Sequence, residues 1–220
     1  MDAAYIKEIT EYITLGAGVT LKIFAVTLAF SIPLGVFGAI GKLSRFRLIH
    51  FLLGVYTWVF RGTPLLLQLF FTYYGLAILT DGRVSFEPEL AAYITFVLNY
   101  TAYFIEIFRA GIQSIGRGQY EAAKALGMPP RLTMRRIILP QAVKIILPPM
   151  GNEAINLIKD TALCSVITVT EILRNASRVM SRDFNVTALV IAAIIYLALT
   201  FVVILAFRNL ETRYAYYTIK

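Results

Sequence analysis

The sequence has few of the residues that build catalytic and metal centres. It contains one cysteine, Cys164, and one histidine, His50, in 220 residues. A single cysteine excludes an internal disulfide and a cysteine-cluster metal site, and a single histidine argues against a histidine-based one. The sequence has no Gly-rich phosphate loop of the Walker type, so we do not expect this chain to hydrolyse ATP. It also has no nucleophile–base arrangement that would indicate a membrane-embedded enzyme.

Charged residues are scarce as well. They make up 15% of the chain, whereas hydrophobic residues make up 58%. A soluble domain averages about 25% charged and about 45–50% apolar residues, so the composition favours a protein whose solvent is lipid. The formal net charge is +8, which could indicate nucleic acid binding. The placement of the positive residues gives a different explanation, and no nucleic acid needs to be invoked.

Five apolar segments are candidates for membrane-spanning helices, which need about 20 mostly apolar residues. They lie at 17–40, within 48–79 (best fitted to 58–79), 90–108, 143–169 and 186–207. The fourth is the weakest because polar residues lower its hydropathy. The chain has no repeat, linker or low-complexity tract. We therefore predict an all-α membrane protein with about five spans and one transmembrane domain over residues 1–220.

The distribution of Lys and Arg predicts the direction of the spans, because these residues accumulate in cytoplasmic loops. The loops after the first and third spans and the C-terminal tail are basic, the loop after the second span is mostly acidic, and the loop after the fourth is mixed. We expect the N-terminus outside and the C-terminus in the cytoplasm. A short helix on the outer membrane surface is also predicted from one apolar helical face, formed by Tyr5, Ile6, Ile9, Tyr12 and Ile13.

The long loop after the third span contains the sequence GQYEAAKALGMPPRLTMRRIILPQAV, residues 118–143. Residues 120–126 are good helix formers, and Gly127 supplies a C-terminal stop. Pro130 suits the first turn of a second helix. The loop is therefore predicted to form a helix, a turn and a helix in the cytoplasm. Its apolar residues have no lipid to face, so they must be buried against this chain or against another protein.

The same loop resembles the EAA loop of ATP-binding-cassette type I importer permeases. Its Glu-Ala-Ala at 121–123, Gly127, and Ile-Ile-Leu-Pro at 137–140 have that family's spacing. Three segments resemble the polar amino acid uptake branch of the family: FRGTPLLLQLFFTYYGL from Phe60, EIFRAGIQSIGRGQYEAAKALG from Glu106 and NLIKDTALCSVI from Asn156. Together they cover most of the chain from the second span to the end of the fourth.

The resemblance implies a permease subunit in the bacterial cytoplasmic (inner) membrane, which imports a polar or basic amino acid. It implies a second permease copy or a paralogue, surrounding membrane lipid, and an extracellular solute-binding protein that delivers the substrate. It also implies a dimer of cytoplasmic ATP-binding-cassette ATPases, which hold the ATP and Mg, while this chain binds no cofactor. The alternative function is a stand-alone ion-coupled amino acid transporter. Five spans without an internal repeat argue against that alternative, since many such carriers consist of two related halves.

The resemblance also assigns roles within the loop. The short helix at 121–126 is then a coupling helix that docks in a groove of the ATPase. Ala122 and Ala123 allow close approach in that groove, Glu121 pairs with a basic group there, and Gly127 permits the turn. The simpler alternative is that the loop is only a surface helical hairpin.

Ionisable residues within the fourth span suggest a site for a polar solute. Glu153, Asn156 and Asp160 share one helical face, being spaced i, i+3 and i+7. A charge at the bilayer centre costs about 2.5–3.5 kcal/mol even on the lenient insertion scale, and is tolerated where it faces a watery cavity or a partner. We expect Glu153 and Asp160 to attract an ammonium or a cationic side chain, and Thr161 with backbone N–H groups to meet a carboxylate. The alternative is an interhelical salt bridge that involves Lys159.

The third span has a matching polar stripe. Asn99, Tyr103 and Glu106 are spaced i, i+4 and i+7 and so lie on one face. For Asn99 and Tyr103, substrate contact and helix packing remain alternatives, because polar groups also join helices in membranes. For Glu106 we favour a local ion pair with Arg109, three residues along the helix.

Prolines predict where the helices are disturbed. Pro148 and Pro149 are expected to loosen the fourth span before its polar stripe and to free backbone groups that could hold a zwitterion. In the second span, Arg61 is interpreted as a snorkelling side chain at the cytoplasmic interface, before a turn broken by Pro64. Gln68 is a candidate for an interhelical hydrogen bond.

Overall fold

A computed structural model describes residues 3–214, and every regular element in that range is helical. The helices are α1 (Ala3–Leu43), α2 (Arg47–Gly62), α3 (Leu65–Phe70), α4 (Leu76–Leu79), α5 (Pro88–Gln113), α6 (Arg117–Ala125), α7 (Pro130–Thr133), α8 (Leu139–Asp160), α9 (Ile172–Asp183) and α10 (Thr187–Tyr214). π-Helical turns at Phe71–Gly75 and Met134–Ile138 join α3 to α4 and α7 to α8, and a 3₁₀ segment, Thr161–Ile167, follows α8. The predicted all-α fold class is confirmed.

The helices that correspond to the predicted spans differ in length and in apolar character. Helices α1, α5 and α10 are long and apolar enough to cross a membrane, and α2 with α3–α4 makes a fourth candidate that is bent by 103°. Helix α8 has 22 residues but is not in that group. Its polar stripe explains the difference, because polar residues lower the mean hydropathy of the segment.

Helix α5 lies at the centre of the larger apolar core. Its rings at Phe96, Tyr100, Phe104 and Phe108 recur every four residues, and neighbouring ring centroids lie 6.3, 6.5 and 5.9 Å apart. Helix α1 packs closely against this row, since a Cβ on Gly35 would lie 2.6 Å from the Cβ of Phe104. Small residues allow helix backbones to approach in this way inside a membrane. The centre of α5 is therefore held firmly, together with the polar residues that it carries.

The N-terminal part of α1 does not form a separate surface helix. Residues 3–43 make one continuous helix, so the predicted short interfacial helix is corrected. Ile9 and Ile13 are buried against α9 and α10 instead of facing lipid. The Tyr5 hydroxyl donates to Asp183 Oδ2 at 2.7 Å, which ties the start of α1 to the end of α9. Two members of the predicted apolar face, Ile6 and Tyr12, stay exposed, and the rest of the face packs against protein.

The prediction that two prolines loosen the fourth span is also corrected. Helix α8 continues through Pro148 and Pro149 to Asp160. The break lies instead after α2, where Thr63 and Pro64 separate two helices that meet at 103°. A broken helix does line the candidate site, as described below, but it belongs to the second span.

The long loop between α5 and α8 forms the predicted helix–turn–helix. Its first helix, α6, runs over Arg117–Ala125, slightly earlier than the 121–126 expected. Gly127 has a φ of +70°, a left-handed conformation that glycine adopts without strain. The second helix begins at Pro130 as predicted and leads through the π-helical turn into α8. The loop is thus joined directly to the helix that carries the acidic stripe.

Candidate functional site

A polar cavity of about 480 Å³ lies between the bend after α2, the middle of α5 and the C-terminal half of α8. Its lining residues are Arg61, Gly62, Thr63, Pro64 and Leu65 from the bend, Asn99, Tyr100 and Tyr103 from α5, and Glu153, Asn156 and Asp160 from α8. Small-molecule pockets usually enclose about 300–1,000 Å³. The two polar stripes predicted separately from sequence therefore meet at a cavity large enough for a small solute.

The acidic wall of the cavity comes from α8. Glu153 and Asp160 lie on its lining face with Asn156 between them. The Tyr100 hydroxyl donates to Asp160 Oδ2 at 2.7 Å, which orients that carboxylate. Neither acid forms a salt bridge with any residue in the range 3–214. The interhelical salt bridge considered as an alternative is therefore not found within the described chain.

Arg61 supplies the positive side of the cavity. Its guanidinium carbon lies 5.4 Å from the centroid of the Tyr103 ring, within the range of a cation–π contact. It is also close enough to Glu153 to interact electrostatically. The interpretation of Arg61 as a snorkelling side chain is corrected, because this residue lines the cavity. An arginine beside a proline break was the available signal, but the sequence did not show which helices face it.

The bend after α2 leaves a backbone carbonyl without its usual donor. Thr63 is extended, with φ −115° and ψ 146°, as expected for a residue that precedes proline. Pro64 has no N–H, so the carbonyl of Phe60, four residues earlier, cannot receive the normal helical hydrogen bond. Two side chains replace it: Gln68 Nε2 donates to this carbonyl at 2.9 Å, and Asn99 Nδ2 donates at 3.1 Å.

The side chains of Gln68 and Asn99 form a hydrogen bond with each other. We call this pair the amide clasp. Asn99 Nδ2 donates to Gln68 Oε1 at 3.0 Å. Gln68 Nε2 also lies 2.8 Å from Thr63 Oγ1 and 3.2 Å from the Thr63 carbonyl. The interhelical hydrogen bond predicted for Gln68 is therefore present. Asn99 has a packing role in the clasp and also lines the cavity.

Two polar residues considered with the site lie elsewhere. Thr161, expected to meet a carboxylate, is fully buried and donates to the Ile158 carbonyl at 2.7 Å. It does not line the cavity, and it is the first residue of the 3₁₀ segment that follows α8. Lys159 lines a different, mostly apolar cavity between α8 and α10. The structure therefore places five of the six predicted substrate residues together and leaves Thr161 out.

Glu106 belongs to an ion cluster at the other end of the α5 stripe. Its pair with Arg109 is confirmed, with Arg109 Nη2 2.7 Å from Glu106 Oε2. A second cation, Lys42 of α1, also binds Glu106 and donates to Thr57 Oγ1 of α2 at 2.8 Å. The cluster joins α1, α2 and α5, and Glu106 is absent from the cavity lining.

The hairpin residues assigned by the resemblance divide into two groups. Glu121 and Ala122 are exposed on α6, where a partner could reach them. Ala123 is buried within this chain, with 1% of its surface exposed, so only Ala122 of the two alanines expected to allow close approach is accessible on α6. Leu126, at the tip, is 79% exposed.

Comparisons with known sequences identify the family of the chain. Residues 31–216 match the family described as binding-protein-dependent transport system inner membrane component. The probable amino-acid ABC transporter permease protein YckA of Bacillus subtilis is 37% identical over 211 residues, covering 96% of this chain and 92% of that protein. The arginine transport system permease protein ArtQ of Bacillus subtilis is 41% identical over 192 residues, covering 87% of each.

Comparison with solved structures gives the same result. A chain from the crystal structure of an amino acid ABC transporter with histidines superposes with a TM-score of 0.88 at 34% identity, covering 97% of this chain and 99% of that one. A chain of the MetNI methionine ABC transporter shares the fold, with a TM-score of 0.69 at 14% identity and the same coverage. The chain therefore belongs to the family of binding-protein-dependent transport system inner membrane components, the permease subunits of ATP-binding-cassette importers, in which the ATPase is a separate chain.

Proposed function

We propose that this permease carries polar amino acids, with cationic ones preferred, and that the polar cavity binds the substrate during transport. The observation that carries the proposal is the separation of charge in the cavity. Glu153 and Asp160 lie on α8, and Arg61 lies at the bend after α2. An amino acid has an ammonium group and a carboxylate, so a cavity with both signs of charge complements its two ends.

The excess of negative charge favours a cationic substrate. Two carboxylates and one guanidinium line the cavity, and Asn99 and Asn156 add hydrogen-bonding groups without charge. We assign the substrate carboxylate to Arg61 and the cationic groups to Glu153 and Asp160. The arginine transport permease of Bacillus subtilis, 41% identical, supports this preference. A stand-alone ion-coupled transporter is not favoured by the relatives, which are importer permeases.

We further propose that α6 docks on an ATP-binding-cassette ATPase dimer, which holds ATP and Mg. The exposed Ala122 and Leu126 supply the contact, Glu121 pairs with a basic group, and Gly127 sets the turn. Ala122→Leu should abolish co-purification of the ATPase because it adds volume at the docking surface, whereas the folded permease should remain. Co-purification unchanged by Ala122→Leu would contradict this docking mode.

The importer requires a second permease copy or a paralogue and an extracellular solute-binding protein, within the lipid of the inner membrane. We propose that the N-terminus is outside and the C-terminus cytoplasmic, as the basic loops indicate. The native Cys164 is buried, so an introduced cysteine can be labelled selectively. Lys7→Cys should react with an impermeant maleimide in intact cells, and Arg213→Cys should react only after lysis. The reverse pattern would overturn the orientation.

The binding role of the two acids can be tested on the purified complex of permease and ATPase. The double variant Glu153→Gln, Asp160→Asn should bind L-arginine at least about 30-fold more weakly, because removing a partner from a desolvated charge pair costs about 2–5 kcal/mol. The measurement is equilibrium binding of radiolabelled L-arginine without the solute-binding protein, which isolates the permease site.

A matched control carries the same two chemical changes at exposed positions. Glu8→Gln with Asp81→Asn alters charges on α1 and in the loop after α4, and it should bind L-arginine like the parent complex. Assembly with the ATPase should be equal for both double variants. Unchanged binding by a fully assembled Glu153→Gln, Asp160→Asn complex would overturn the proposed site.

A further inference from the structure

We propose that Gln68 is a positioning residue for the substrate carboxylate, because the amide clasp fixes the helix break that places Arg61 in the cavity. This inference rests on the proposed function, in which Arg61 binds that carboxylate. It adds a residue that does not itself reach the substrate. The clasp fixes the backbone of the bend and thereby the position of the Arg61 guanidinium.

The Phe60 carbonyl needs the hydrogen bonds of the clasp. The Phe60 carbonyl is deprived of its helical donor by Pro64, and a backbone carbonyl without a partner is costly inside a membrane. Gln68 Nε2 is its nearer donor, at 2.9 Å. Gln68 lies in α3 and Phe60 lies in α2. The hydrogen bond therefore crosses the break and holds its two arms at their observed angle.

The bend is in turn linked to the cavity. Arg61 is covalently next to Phe60, so the position of the Phe60 carbonyl restricts the direction in which the Arg61 side chain leaves the backbone. The clasp also holds Thr63, which follows Arg61 by two residues and lines the cavity. Hydrogen bonds on both sides of Arg61 thus set the local backbone. Loss of the clasp should let the guanidinium move away from the ligand position.

Gln68 acts on the substrate site indirectly. Gln68 lines a separate apolar cavity of about 500 Å³ behind the bend, together with Val59, Leu67 and Phe71. It is absent from the lining of the polar cavity, whereas Asn99 is present there. A substitution of Asn99 would therefore mix direct and indirect effects. Gln68 is the member of the clasp that isolates the positioning role.

The test compares two ligands that differ at the carboxylate. Binding of L-arginine and of L-argininamide, in which a neutral amide replaces the carboxylate, is measured on the purified permease–ATPase complex. Gln68→Met keeps the side-chain length and removes the donor. Asn99 Nδ2 still donates to the Phe60 carbonyl in this variant, so the variant removes only the hydrogen bonds that join α3 to Phe60 and Thr63. L-Arginine binding should weaken about tenfold, which corresponds to the net contribution of about one hydrogen bond. L-Argininamide binding should change less than about twofold.

Three further variants make the result specific. Gln141→Met removes another amide that donates to a helix carbonyl, that of Ile137, but lies away from the bend, so both ligands should bind normally. Arg61→Met should abolish the preference for the carboxylate, and adding Gln68→Met to it should have no further effect. If Gln68→Met does not assemble, Gln68→Leu also lacks the donor and adds no charge beside Arg61.

The outcomes separate this inference from the proposed function. Equal weakening of both ligands by Gln68→Met would show a purely structural role and overturn the inference. Normal binding by Gln68→Met, with selective loss in Arg61→Met, would overturn it as well but leave the proposed function intact. If Arg61→Met does not discriminate between the two ligands, the assignment of the carboxylate to Arg61 fails first.

Discussion

Prolines have opposite consequences in two helices that line the same cavity. Helix α8 continues through Pro148 and Pro149, whereas the second span bends by 103° at Pro64. At the bend, the freed carbonyl has two side-chain donors, one from α3 and one from α5, 39 residues away from Phe60. A proline thus marks where a helix can break. Partners from distant parts of the chain stabilise the break that is observed.

The two helices also position their charged groups at the site in different ways. The continuous helix α8 presents two carboxylates on one face, because helical spacing alone aligns them. The broken helix presents one guanidinium, whose direction depends on a turn and its hydrogen bonds. We therefore expect α8 to tolerate loss of its prolines and the bend to be sensitive to loss of Pro64 or of its donors.

The largest loss of stability is expected at Gly16, where α1 lies against the backbone at the start of α9. A Cβ on Gly16 of α1 would lie 2.5 Å from the Glu171 carbonyl carbon and 2.6 Å from the Ile172 nitrogen. These backbone atoms cannot rotate away as a side chain could. Gly16→Ala should therefore destabilise the complex by about 1–3 kcal/mol, the usual range for overpacking, measured as thermal unfolding.

Gly18 provides the matched control, two residues along the same helix. A Cβ there meets nothing within 4 Å, and alanine is favoured over glycine in a helix by about 0.5–1 kcal/mol. Gly18→Ala should keep or raise the unfolding temperature. Equal destabilisation by the two changes would mean that α1 does not lie against the start of α9 as observed.

The next largest effect is expected on L-arginine binding when the prolines of the two helices are replaced. Pro64→Ala restores an N–H that can compete for the Phe60 carbonyl and straighten the bend. We expect L-arginine binding to weaken about tenfold, which corresponds to about 1.4 kcal/mol. Pro148→Ala with Pro149→Ala should change binding less than about threefold, since α8 is already helical there. Spin-label distances between α2 and α4 should lengthen for Pro64→Ala alone.

The smallest effect lies at the contact between α1 and α9. Hydrogen bonds from Arg182 and Tyr5 hold the pKa of Asp183 at about 2. Because the pKa is lower in the folded state than the usual value of about 4, the contact stabilises the fold above pH 4 and weakens as the pH falls towards 2. Asp183→Asn should lower Tm by about 1 °C at pH 7. The difference from the parent should shrink between pH 5 and pH 3, and a constant difference would contradict this origin.

The sequence predicted much of this architecture because helices and polar stripes depend on local spacing. The face of Glu153, Asn156 and Asp160 could be read from periodicity, as could the buried Ile9 and Ile13 of the N-terminal segment. The turn at Gly127 could be read from the residue type. The role of Arg61 could not, because it requires knowing that α5 and α8 lie opposite the bend. Likewise, the sequence does not show that Thr161, expected to meet a carboxylate, is buried outside the cavity lining and donates to the Ile158 carbonyl.

The central claim is that the polar cavity holds an amino acid between charges of opposite sign. The most direct test is a structure of the permease–ATPase complex with bound L-arginine. We predict that the ligand carboxylate lies within hydrogen-bonding distance of Arg61 and that the ligand guanidinium lies beside Glu153 or Asp160. A ligand bound elsewhere while this cavity stays free, or one whose carboxylate points away from Arg61, would contradict the account.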